Sequence, residues 1–152
     1  MTLEQSRAWV SLITTAELLP VALDAQLQRD SQMTHYEYML LGTLLRGGPH
    51  RLSDLAAATN ATLPRASKVV SRLAERGLVE REESSEDRRS VSIRLTSEGR
   101  RQTVLATPGH FDTVHQLVLE HLSAEQTTAL ADALAPIVAG LDPHQRFGPA
   151  RR

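Results

Sequence analysis

Two helical segments only three residues apart constrain this chain more than any other feature. The first reads from about Ser53 to Ala58, with Ser53 as a candidate N-cap and small apolar Leu55, Ala56 and Ala57 suited to close packing. The second follows Thr62, runs to about Glu75 and stops at Gly77. Thr62 can cap it, and Pro64 sits in its first turn, where a missing N–H costs nothing. Ala66, Val69, Val70 and Leu73 recur at the spacing of one buried face. Thr59 to Ala61 form the connection, and Asn60 tolerates the left-handed backbone that ends a helix. Helices joined this tightly form a helix-turn-helix. The second helix carries Arg65, Ser67, Lys68, Ser71 and Arg72 largely off its apolar stripe, so its other face is polar and cationic.

A short strand at Leu78–Arg81 follows, then a strand at Val91–Leu95 in which Val91, Ile93 and Leu95 alternate with Ser92, Arg94 and Thr96. Between them Glu82, Glu83, Glu86, Asp87, Arg88 and Arg89 crowd the tip of a hairpin. A helix-turn-helix followed by such a hairpin is a winged helix. The predicted fold class is mainly α with a small β-hairpin wing, the winged core lying at residues 34–96 of a single domain.

Helices flank that core. One spans about residues 4–29 through Trp9, Leu12, Ile13, Ala16, Leu19, Leu23 and Leu27, with a kink expected at Pro20. Thr34 and Glu37 have the spacing of a capping box, opening a helix that Gly47-Gly48-Pro49 stops. Thr96 caps a fifth helix, with Glu98 at its positive end, and Pro108-Gly109 is expected to bend or break it. Phe111, Val114, Leu117, Val118 and Leu122 continue its apolar stripe. Ser123 and Gln126 form another capping box, before a sixth helix carrying Leu130, Leu134, Ile137, Val138 and Leu141. Residues 143–152 read as a disordered tail.

Composition removes several function classes. Aromatics are 3% of the chain, so the core is aliphatic, and the absence of cysteine excludes disulfides, thiolate metal sites and a cysteine nucleophile. His110, His115 and His121 are five and six residues apart, not the four that a helical pair of metal ligands needs, so no metal or cofactor is expected. There is no glycine-rich phosphate loop, G-x-S-x-G or H-E-x-x-H, and an enzyme is not expected. No apolar run approaches the roughly 20 residues of a membrane span, and the opening MTLEQSRAWV lacks a continuous apolar signal region. A soluble cytoplasmic protein without a membrane partner is the expectation. Net charge is −1, but residues 62–101 hold ten basic and seven acidic residues, a local excess of +3.

RLAERGLVER (72–81), the D-x-R of Asp87 and Arg89, and IRLTSEG (93–99) together resemble the winged-helix core of the MarR family of bacterial transcription regulators. The likeness extends to the helix order on both sides. The chain departs at Thr62-Leu63-Pro64, where many members carry Ser-Arg-Ser or similar. The resemblance implies a homodimer built by residues 4–30 and 97–141, bound to a near-palindromic double-stranded DNA operator and acting as a repressor. It implies a reading helix in the major groove, with Thr62, Pro64, Arg65, Ser67, Lys68, Ser71 and Arg72 as the candidate contacts. It also implies a wing tip in the minor groove, where Arg89 is the candidate insertion, Asp87 its carboxylate support and Arg88 a phosphate contact. Arg76 and Arg81 read as surface charges. Many relatives are released by small phenolic or aromatic acids, for which Trp9, Tyr36 and Met39 are candidate lining residues. The alternative is a winged helix used for protein contact without operator binding.

Overall fold

The computed structural model describes residues 1–83 and 91–147. Its elements are α1 (Leu3–Ser31), α2 (His35–Gly47), β1 (His50–Arg51), α3 (Leu52–Ala58), α4 (Leu63–Glu75), β2 (Val79–Glu83), β3 (Val91–Leu95), α5 (Ser97–Leu117) and α6 (Ala124–Leu141), with a 3-10 turn at Leu119–His121. The strands form one antiparallel sheet in the order β1-β3-β2. Val79 pairs with Leu95 and Glu83 with Val91, which makes β2 and β3 the two sides of the wing.

The winged core closes around aliphatic side chains. Leu40, Leu41 and Leu44 of α2, Leu55 of α3, Val69, Val70 and Leu73 of α4, and Ile93 of β3 are all buried together with Met33 and Leu78. Each such side chain contributes about 1.5–3 kcal/mol on leaving water. The apolar stripe expected on α4 is therefore the stripe that packs, and its polar face is left outward. Chain reversals follow local chemistry. Asn60 takes φ 49°, and Gly48 and Gly77 take φ 74° and 71° after α2 and α4, where a side chain is strained. Thr34 Oγ1 accepts from the Glu37 N–H at 3.0 Å while the Glu37 carboxylate accepts from the Thr34 N–H at 2.8 Å, so the capping box is reciprocal.

Two local expectations are corrected, and a strand is added to the sheet. Ser53 is not the cap of α3; the helix starts one residue earlier, at Leu52, and Arg51 precedes it with no side-chain cap. The sheet has a third strand, β1, held only by its pairing of His50 with Ile93 and Arg51 with Ser92. Pro108-Gly109 does not break α5, which is continuous from Ser97 to Leu117 and buries Ala106 and His110 on either side of the pair. Pro20 lies inside α1, which runs as one helix from Leu3 to Ser31. A proline removes one backbone hydrogen bond, and in α5 the packing of Thr103, Ala106 and His110 around Pro108 outweighs that loss.

The flanking helices are covered unevenly. The C-terminal part of α1 buries Leu23 and Leu27 against α2 and α5. Its N-terminal part leaves Trp9, Val10, Leu18 and Val21 more than half exposed. By length and composition alone α1 could cross a membrane. Ser11, Thr14, Thr15 and Glu17 interrupt that apolar content, which is why no unbroken run announces it. In α6 no residue is buried, and Leu130, Ile137, Val138 and Leu141 are all exposed. Residues 143–147 follow α6 with the Asp142 carboxylate accepting from the backbone N–H groups of Arg146 and Phe147. Those two bonds hold its pKa below the ordinary carboxylate value.

Candidate nucleic-acid interface

The outward face of α4 is built from its first turn. Thr62 adopts an extended backbone and its Oγ1 accepts from the Arg65 N–H at 3.4 Å, with Pro64 in the same turn. Arg65 then lies with its guanidinium 4.3 Å from the centroid of the Tyr36 ring, a cation–π contact. The Thr59 hydroxyl donates its only proton to the Leu55 carbonyl at 2.7 Å, so the Tyr36 hydroxyl is the donor in its 3.0 Å bond to Thr59 Oγ1. Arg65 is thereby braced through Tyr36 by the turn between α3 and α4. Thr62, Pro64, Arg65 and Lys68 are exposed, and Ser67 and Ser71 half-buried. Among the described residues neither Arg65 nor Lys68 pairs with a carboxylate.

Arg72 is placed differently. Its Nε donates to Glu37 Oε1 at 2.9 Å, and Arg76 Nη1 donates to Glu37 Oε2 at 3.3 Å. Sequence reading gave Arg76 only a surface role, and the partner that engages it lies 39 residues away. Arg81 donates to Ser71 Oγ at 3.2 Å, so that serine joins α4 to β2. Arg94 bridges Glu80 and Glu82 across the wing strands at 3.1 and 3.4 Å, and Arg101 pairs with Glu98 one turn back on α5. The Arg101 and Gln102 bonds to Glu98 lower its pKa to about 2. Glu37, Glu80, Glu82 and Glu98 are each paired with an arginine other than Arg65. Asp87, Arg88 and Arg89 of the wing tip lie outside the described residues.

A cleft of about 530 Å3 separates α1 from α4, lined by Pro20, Asp24, His35, Tyr36, Arg65 and Lys68 among others. Of the three residues expected at an effector site, Tyr36 lines it. Met39 is half-buried on α2, and Trp9 lies eleven residues before Pro20, about 16 Å along the same helix. Arg65 and Lys68 of α4 line the same cleft.

His35 and His110, 75 positions apart, stack with ring centroids 6.0 Å apart, and Tyr38 lies 4.5 Å from His110. Burial lowers the pKa of both histidines below their ordinary value of 6.5. The buried His110 Nδ1 and Gln26 Oε1 have no partner among the described residues. No group of three metal-ligating side chains occurs among the described residues.

A sequence model described as the MarR family matches residues 31–90. The HTH-type transcriptional repressor YetL of Bacillus subtilis (strain 168) is 31% identical over 121 residues, 72% of each chain. The crystal structure of Sco3205, a MarR family transcriptional regulator from Streptomyces coelicolor in complex with DNA, superposes with a TM-score of 0.86 and 36% identity, covering 95% of this chain and 92% of that one. AbsC, a MarR family transcriptional regulator from the same organism, gives a TM-score of 0.86 at 31% identity over 95% and 98% of the two chains.

Proposed function

We propose, from the premise that this chain belongs to the MarR family of transcription regulators, that it is a homodimeric repressor of a near-palindromic operator. Family membership makes the chain a DNA-binding regulator of transcription and not an enzyme. The observation that carries the finer reading is the outward face of α4, where Arg65 and Lys68 stand exposed and unpaired with acid among the described residues. An arginine braced at one end of a helix is suited to pair with guanine O6 and N7 in the major groove, and a neighbouring lysine suits phosphate. Ser67, Ser71, Thr62 and Pro64 lie along the same helix and complete the contact surface. On this reading the hairpin carries Arg89 into the adjoining minor groove, Asp87 steadies it and Arg88 meets phosphate.

The exposed apolar residues of α1 and α6 support a two-fold partner, because a patch of this kind on an unpartnered chain marks an interface. A symmetric dimer presents two α4 helices about one duplex turn apart. The cleft between α1 and α4 supports release by a small aromatic or phenolic acid, which would meet Tyr36 and the Arg65 and Lys68 cations there. The site of action is the cytoplasm, where the operator is.

The experiment is a gel-shift of Arg65→Ala and Arg89→Ala on a duplex selected by the wild-type protein from a random-sequence library. Each variant loses about tenfold or more in affinity while keeping its helical circular dichroism. Wild-type affinity in both variants contradicts the proposed groove contacts.

A further inference from the structure

Glu37 carries more charge than its cap requires. Among the described residues there are three capping boxes, and those at Thr2 and Ser123 are closed by neutral Gln5 and Gln126 at exposed positions. Of these three, the box at Thr34 alone uses a carboxylate, and that side chain is 3% exposed. Burying an ionised carboxylate is unfavourable unless partners surround it. Glu37 Oε1 accepts from Arg72 Nε and lies 2.9 Å from Arg72 Nη2, while Oε2 accepts from the Thr34 N–H and from Arg76 Nη1. Arg76 also donates from Nη2 to the Gln32 carbonyl at 3.0 Å. Gln32 is the left-handed residue, φ 54°, that ends α1. The carboxylate therefore joins the start of α2 to Arg72 of α4 and to Arg76, the residue that caps the end of α4, and Arg76 carries the link on to the end of α1.

We infer that Glu37 is a positioning residue for operator recognition, a charge clamp that fixes the angle of α4 to α1. This rests on the proposed dimeric, DNA-binding reading. In such a dimer α1 belongs to the two-fold interface, so the clamp sets the separation of the two α4 helices and hence the half-site spacing accepted. Arg72 then acts as a strut, and base reading falls to Arg65 and its neighbours. Glutamine would satisfy the cap, as it does twice elsewhere in the chain, but would not hold two guanidinium groups.

Glu37→Gln tests this on the full chain, with three probes. These are the duplex selected by wild-type protein, the same duplex with one base pair added to or removed from its centre, and a random-sequence duplex. Wild-type protein disfavours the altered spacers by about tenfold or more. Glu37→Gln reduces that ratio to about twofold, with unchanged random-duplex affinity and unchanged salt dependence. A purely structural role lowers the melting temperature and leaves the spacer ratio alone. Arg76→Gln, which leaves Arg72 on the carboxylate, shifts the ratio in the same direction and decides the matter if Glu37→Gln does not fold. A wild-type spacer ratio in the folded variant overturns the clamp alone. Wild-type protein that binds none of the duplexes overturns the regulator reading and the clamp with it.

Discussion

Gly99→Ala destabilises the fold by about 2 kcal/mol or more and removes DNA binding with it. A Cβ at Gly99 would lie 1.9 Å from the Leu78 carbonyl oxygen and 2.8 Å from its carbon. Those are backbone atoms, so no side-chain rotation relieves the contact. The same carbonyl accepts from the Thr96 N–H at 3.1 Å, and the Thr96 hydroxyl donates to the Gly77 carbonyl at 2.6 Å. This joint closes the wing, because it fastens the end of β3 and the start of α5 to the turn between α4 and β2. Alanine gains about 1 kcal/mol over glycine in a helix, and the clash exceeds that gain. Gly109→Ala is the internal comparison. Its Cβ meets only Gln26 Nε2, at an ordinary 3.5 Å, so it is neutral or stabilising. Denaturant unfolding of the two variants beside wild type decides the matter, and a wild-type midpoint for Gly99→Ala contradicts the packing described.

Ile137→Glu yields a folded monomer and lowers operator affinity by about a hundredfold or more. Ile137 is 45% exposed and α6 buries nothing within its own chain, so a charge there disturbs no core of the single chain. In the proposed dimer the same carboxylate must leave water beside the apolar side chains of α1 and α6. Losing the partner makes each half-site contact independent, and the effective concentration that links them disappears. Sedimentation at micromolar concentration reports the mass, and circular dichroism reports the fold. A dimer that persists in Ile137→Glu, or a wild-type monomer, sinks this interface.

What could be read in the sequence is what neighbouring residues decide among themselves. Thr34 with Glu37, Thr62, Thr96, and Ser123 with Gln126 announce helix starts because a side chain satisfies an amide two or three residues on. Gly48, Asn60 and Gly77 announce stops because their backbones turn left-handed. The α4 stripe is legible because its period is helical, and with it the cationic face opposite. What escaped depends on distant partners. β1 is two residues long and exists only through β3. α5 survives Pro108 because both sides of it are packed. The pairing of Glu37 with Arg72 spans 35 positions, so a residue read as a groove contact is tied to a buried acid. Arg65 is legible as a cation, but its seat on Tyr36 is not. The cleft beside Tyr36 has the same origin, because its lining comes from α1, α2 and α4 together.

The most direct measurement is the affinity of wild-type protein for its selected duplex, and for a scrambled duplex, as a function of salt. A dimer that grips phosphates through two α4 helices and two wings gives log K falling linearly with log salt, with a slope of about −0.9 per phosphate neutralised. The selected duplex keeps its advantage over the scrambled one throughout. Binding to neither duplex at low salt, or equal affinity for both at every salt concentration, contradicts the account.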